Sequence, residues 1–105
     1  MIINVKGKDV TLKYSFRAML MYENIKDEAF APKTMTDVII FMLCVIVSSE
    51  KTIQLTLDEL LDIIDDNPML LEDFSKWLTG EITKQNFLSQ DTEIVVDEEK
   101  KTSLN

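Results

Sequence analysis

Histidine is absent from this chain, and cysteine, glycine and proline are scarce. Without histidine, the commonest general base and the usual zinc ligand are both missing. Two glycines, Gly7 and Gly80, are too few for a glycine-rich phosphate loop. The single cysteine, Cys44, allows no intrachain disulfide and has no basic neighbour that would make it a thiolate nucleophile. The composition therefore argues against an enzyme, and we expect neither a cofactor nor a bound metal.

Basic residues are outnumbered by acidic ones, 11 against 19, which gives a net charge of −8. Nucleic acids and anionic membranes are bound through basic patches, so we expect neither as a partner. The longest apolar run, VIIFMLCVIV at residues 38–47, is about half the length needed to span a bilayer. The first residues lack the basic-then-apolar pattern of a secretory signal. We therefore expect a cytoplasmic protein that acts by binding other proteins.

Alternating apolar and polar residues predict a β-hairpin over residues 2–14. If Gly7-Lys8 are the central residues of a type II′ turn, Val5 pairs with Val10. Helical spacing and capping residues then predict helices over residues 16–26, 36–50, 57–66 and 68–88.

The fold class that follows is α+β, mostly α, with the N-terminal hairpin packed on a bundle of about four helices. We predict a single globular domain over residues 1–89 and a disordered acidic tail over residues 90–105. A buried strand is the alternative for residues 38–47, because six of the ten are β-branched. The capping-box pattern from Thr34 to Asp37 favours a helix.

The second predicted helix is apolar on every side, which is unusual in so small a domain. Two alternatives stay open. It is the central helix of the bundle, or one of its faces meets another chain.

The third predicted helix carries Asp58, Asp62 and Asp66 at i, i+4 and i+8, on one face. Such carboxylates can hold a divalent cation, but the EF-hand pattern is absent. We interpret the stripe as a solvated helix face, with a binding face for a basic partner as the alternative.

The order of these signals resembles the tail assembly chaperones of long-tailed phages, over about residues 1–88. The resemblance is carried by INVKGKDVTLKY, SFRAMLMYENI, TMTDVIIFMLCVIV and LTLDELLDIIDDNPMLLEDFSKWL. It implies a cytosolic protein that is absent from the finished virion. Such proteins bind the apolar tape-measure protein, keep it soluble and help to recruit tail-tube subunits. Self-association is also common among them.

A chaperone for an apolar helical client needs exposed apolar surface, high solubility and no active site. We expect this surface on the first two predicted helices, formed by Phe16, Leu20 and the exposed members of Ile39, Ile40, Phe41 and Leu43. The alternative is a small acidic adaptor or regulator that binds a host protein through its acidic helices. A DNA mimic is a further alternative, although its carboxylates would need to be spread over a longer surface than one third of the chain.

Overall fold

The computed structural model describes the backbone of residues 1–96 and the side chains of residues 1–84. A two-stranded antiparallel hairpin is followed by four helices, which confirms the predicted fold class. The elements are β1 (Ile2–Val5), β2 (Lys8–Thr11), α1 (Phe16–Lys26), α2 (Met35–Ser49), α3 (Leu57–Asp66) and α4 (Met69–Val96). The chain divides into two compact units, Met1–Ser75 and Lys76–Asn105, and α4 extends from the first into the second.

The hairpin turns one residue earlier than predicted. Its central residues are Lys6 (φ 53°) and Gly7 (φ 84°), and Val5 pairs with Lys8. Positive φ at both positions is the requirement of a type I′ turn, whose twist matches that of the strands. The Asn4 side chain favours this turn because its Oδ1 accepts a hydrogen bond from the Gly7 N–H at 3.2 Å.

The predicted pairing was therefore wrong, and Ile3 lies opposite Val10. Each residue of β1 is thus paired two residues away from its predicted partner on β2. Because side chains alternate between the faces with a period of two, a shift of two residues leaves every side chain on its predicted face. The inner face consequently keeps the predicted apolar residues, of which Ile3, Val5, Val10 and Leu12 are buried.

Three helices begin after a capping side chain, at or within one residue of the predicted starts. The Ser15 Oγ accepts a hydrogen bond from the Ala18 N–H at 3.2 Å. Reciprocal capping boxes join Thr34 with Asp37 and Thr56 with Glu59. Each box satisfies main-chain N–H groups that have no partner inside the helix.

The apolar run at 38–47 is helical, and all of its residues are buried or half-buried. Phe41 lies at the centre of the core, with ring centroids at 4.6 Å from Phe30, 6.0 Å from Tyr22 and 6.1 Å from Tyr14. Its centroid is also 6.5 Å from that of Phe74. The sequence left open whether α2 is the central helix of the bundle or meets another chain. Its central position accounts for most of its apolar surface.

The fourth helix begins at Met69 and continues through Gly80 to Val96, beyond the predicted end at residue 88. Proline is absent from this stretch, and one glycine costs a helix only about 1 kcal/mol relative to alanine. The beginning of the predicted tail over residues 90–105 is thus helical as far as Val96. The rest of that predicted tail lies outside the described residues.

Candidate protein-binding surface

The outer face of α1 exposes two large apolar side chains, Phe16 (76% exposed) and Leu20 (63% exposed). They are four residues apart, so they lie one above the other on the same helix face. The opposite face of α1 buries Ala18 and Tyr22 against the core. We call Phe16 and Leu20 the α1 apolar pair, and both lie where the sequence predicted exposed residues.

One face of α2 is only partly covered. Ile39, Ile40, Leu43 and Val47 are half-buried, whereas the opposite face is fully buried. Residues 39, 43 and 47 are spaced by four, so with Ile40 they form a continuous apolar stripe, which we call the α2 stripe. Three of the predicted site residues belong to it. Val47 was not predicted, although its i+4 spacing from Leu43 is visible in the sequence.

Phe41 does not belong to this surface. Its side chain is 0% exposed and contacts the aromatic rings described above. Phe41 lies two residues from both Ile39 and Leu43, and such a separation turns a side chain to a different helix face. We therefore correct the predicted set by assigning Phe41 to the core.

Ile25 (56% exposed) and Met35 (70% exposed) add apolar area that the sequence reasoning missed. Ile25 falls at core spacing with Ala18 and Tyr22, but it lies in the last turn of α1, beyond the buried part of the helix. Met35 is the first residue of α2. Both lie at the end where α1 and α2 are joined by an ion pair.

That ion pair is between Lys26 and the largely buried Asp37, whose Nζ and Oδ1 atoms are 2.8 Å apart. Asp37 Oδ2 also accepts hydrogen bonds from the N–H groups of Lys33 (3.0 Å) and Thr34 (3.2 Å). The Lys26 ammonium and these N–H groups hold the pKa of the Asp37 carboxyl well below its usual range. Burial and the nearby Asp37 charge raise the pKa of Tyr22. The α1–α2 pair is thus fixed at one end by a charged, hydrogen-bonded junction.

The acidic stripe of α3 is exposed at Asp58, Asp62 and Asp66, as expected of a solvated face. Within the part of the chain that the structure describes, no three potential ligand side chains are grouped to hold a metal ion. Cys44 is buried, and burial raises the pKa of its thiol to about 11. The thiolate is therefore a minor species at neutral pH.

None of the helices described over residues 1–96 combines the length and apolar character that a membrane span requires. Comparisons with protein-family models, curated proteins and solved structures find no match. The surface described above is consequently interpreted from its own chemistry.

Proposed function

We propose that this protein is a tail assembly chaperone that acts by binding other proteins in the cytoplasm of a phage-infected cell. In this proposal it binds the tape-measure protein, keeps it soluble and helps to recruit tail-tube subunits around it. The observation that carries the proposal is the exposure of the α1 apolar pair on the face of α1 opposite to the buried Ala18 and Tyr22. The resemblance in the order of sequence signals supports the same function.

Exposed apolar groups of this size favour a partner. Burying a phenylalanine or leucine side chain stabilises a fold or a complex by about 1.5–3 kcal/mol relative to leaving it in water. An exposed side chain can provide this free energy when a partner covers it. Contiguous exposed apolar surface in a small protein commonly marks an interaction site. A helical client can place its own apolar stripe against such a surface through residues at i, i+3 or i+4, and i+7.

The net charge of −8 is compatible with this role. Mutual repulsion keeps an acidic protein dispersed, even when it exposes apolar side chains. A complex with an aggregation-prone client would share this charge. The α1 apolar pair would supply the attraction and the acidic surface would supply the solubility.

The experiment is co-expression with a tape-measure protein from the same genome, followed by purification on a tag carried by the client. The double variant Phe16→Glu/Leu20→Glu should lose co-purification and leave the client in the insoluble fraction. A matched control is Leu57→Glu/Met69→Glu, which places the same charges at two apolar residues exposed elsewhere. The control should still bind the client.

Circular dichroism spectra should be the same for both double variants, since all four side chains are exposed. Retained binding by the folded α1 double variant would contradict the proposal. The neighbouring genes give a second test. A long downstream reading frame for a helical tape-measure protein is expected, and its absence would favour an adaptor.

The adaptor is a second candidate, favoured by the exposed carboxylates of Asp58, Asp62 and Asp66 on α3. Binding through these groups would weaken steeply above about 0.15 M salt, where charges are screened within about 8 Å. Binding through the α1 apolar pair would tolerate salt. A salt titration of the complex therefore separates the two functions.

A further inference from the structure

A groove of about 440 Å³ lies between β1 and the corner at which α3 is followed by α4. Residues 1–4 border one side of it. Side chains of consecutive strand residues point to opposite faces of a sheet. A groove that is lined by four consecutive residues therefore runs along the edge of the strand and not along one face. Ile63 and Leu70 border the other side, together with the carboxylates of Asp66 and Asp73.

The edge of β1 at this groove offers hydrogen-bonding groups for another strand. Across residues 1–96 the sheet consists of β1 and β2 alone, so each strand has a second edge. The Leu12 N–H donates to the Met1 carbonyl at 2.8 Å, and Val5 pairs with Lys8 at the turn. Hydrogen-bonded and non-hydrogen-bonded pairs alternate in an antiparallel ladder, which makes Ile2 and Asn4 the non-hydrogen-bonded residues. Their N–H and C=O groups therefore point away from β2.

We propose that this groove binds an extended, basic segment of a partner protein, which adds to β1 as a third strand. Main-chain hydrogen bonds to Ile2 and Asn4 would provide the attachment, as in other cases of strand addition. Ile2, which is 64% exposed, would contact an apolar side chain of the segment. Lysine and arginine are absent from the lining residues, so Asp66 and Asp73 select a segment of positive charge. This proposal does not depend on the proposed chaperone function.

A second copy of this chain is a poorer occupant. Pairing two β1 edges would bring the Asp66 and Asp73 carboxylates of both copies towards one interface. Each copy also carries a net charge of −8. Like charges that face each other across an interface oppose association.

The first test uses the full chain, labelled with ¹⁵N, and a capped heptapeptide of alternating lysine and valine. The peptide should shift the amide signals of Ile2 and Asn4 and slow their hydrogen exchange. Ile3 and Val5 should change less because their N–H groups already face β2. Two control peptides should not bind: one with glutamate in place of lysine, and one N-methylated at alternate residues to block strand pairing.

The second test compares two double variants of equal charge. Asp66→Asn/Asp73→Asn should weaken binding of the lysine–valine peptide about fivefold to tenfold. The control, Asp58→Asn/Asp62→Asn, changes exposed carboxylates that do not line the groove and should weaken it less than twofold. Thermal unfolding measured by circular dichroism should be similar for all three proteins.

Three results would overturn the proposal. The N-methylated peptide could bind as well as the unmodified one, or the two double variants could weaken binding equally. Either would mean that charge alone attracts the peptide. Shifts at Ile2 and Asn4 that grow with protein concentration, without peptide, would show that a second copy occupies the edge.

Discussion

Lys26 Nζ lies 2.8 Å from Asp37 Oδ1, and this contact joins the last turn of α1 to the first turn of α2. Asp37 also completes the capping box of α2: its Oδ2 accepts a hydrogen bond from the Thr34 N–H at 3.2 Å, and its own N–H donates to Thr34 Oγ1 at 3.1 Å. One largely buried carboxylate thus begins the central helix and holds α1 against it. The junction therefore helps to hold α1, which carries the α1 apolar pair, against α2.

Replacing Asp37 with alanine should destabilise the protein more than replacing its capping partner. Thr34→Ala removes one hydrogen bond to the helix N-terminus and should cost about 1 kcal/mol. Asp37→Ala removes the ion pair and leaves the Lys33 and Thr34 N–H groups without their acceptor. Urea unfolding of both variants measures the difference, and an equal loss would mean that Lys26 contributes nothing through Asp37.

The same carboxylate should make stability depend on pH. Its pKa is lower in the folded protein than the value of 3.8 of a free side chain, because Lys26 and the two N–H groups favour the ionised form. Its stabilisation is therefore complete above the unfolded value and is lost as the pH falls through the folded value. Below about pH 5 the free energy of unfolding should fall more steeply for the unsubstituted protein than for Asp37→Asn.

Glu50 and Glu59 also have lowered pKa values, through hydrogen bonds from Thr52 and Lys6 respectively. Both glutamates are present in the Asp37→Asn variant, so the difference between the two proteins isolates Asp37. Parallel pH profiles would contradict the role assigned to this carboxylate.

Phe41 and Phe16 provide a matched pair for separating the core from the binding surface. Phe41→Ala removes the central ring of the aromatic cluster and should cost about 3–5 kcal/mol. Phe16→Ala changes a side chain that is 76% exposed and should alter stability by about 0.5 kcal/mol or less. Chemical denaturation gives both values. A large loss at Phe16 would mean that it contributes to folding, which would weaken its assignment to a partner.

The starts of α1, α2 and α3 were predictable to within one residue because capping residues and apolar spacing agree, whereas the end of α4 was not. Ser15, Thr34 and Thr56 each precede an apolar stripe, and each caps the helix that follows. The assignment of Phe41 could not be predicted in the same way. When a helix is apolar on every side, periodicity cannot tell which residues face the core, and tertiary packing alone decides it.

The turn register was harder to predict, because Lys6-Gly7 and Gly7-Lys8 both place glycine at an allowed position of a two-residue turn. The hydrophobic pattern does not separate them, since both registers bury the same strand residues. In the observed register the Gly7 N–H donates a hydrogen bond to the Asn4 side chain, and the hydrophobic pattern does not reveal this contact. The groove beside β1 was equally hidden, because it needs the corner between α3 and α4 to lie next to the strand.

Cys44 should report on unfolding. It is 1% exposed, and burial raises the pKa of its thiol to about 11. A thiol-specific reagent attacks the thiolate, so modification should require an opening of the core. The rate should increase together with the unfolded fraction in urea. Rapid modification without denaturant would contradict the burial of this side chain.

Gly7 and Gly80 should respond to alanine in opposite directions. Gly7 has a φ of 84°, so alanine there is strained even though nothing lies within 4 Å of the added Cβ. Gly7→Ala should destabilise the hairpin by about 1–2 kcal/mol. Gly80 is inside α4 and also has nothing within 4 Å of an added Cβ. Gly80→Ala should raise the free energy of unfolding by about 0.5–1 kcal/mol, because alanine loses less backbone entropy in a helix.

Thermal and urea unfolding of these two glycine variants measure both changes, and circular dichroism follows the helical content of Gly80→Ala. The added methyl group is the same at both positions and meets open space in each case. If the two changes in the free energy of unfolding have opposite signs, the cause is therefore the difference in backbone conformation. Destabilisation by Gly80→Ala would contradict a continuous helix through this residue. A neutral Gly7→Ala would contradict a positive φ at residue 7, and therefore the type I′ turn.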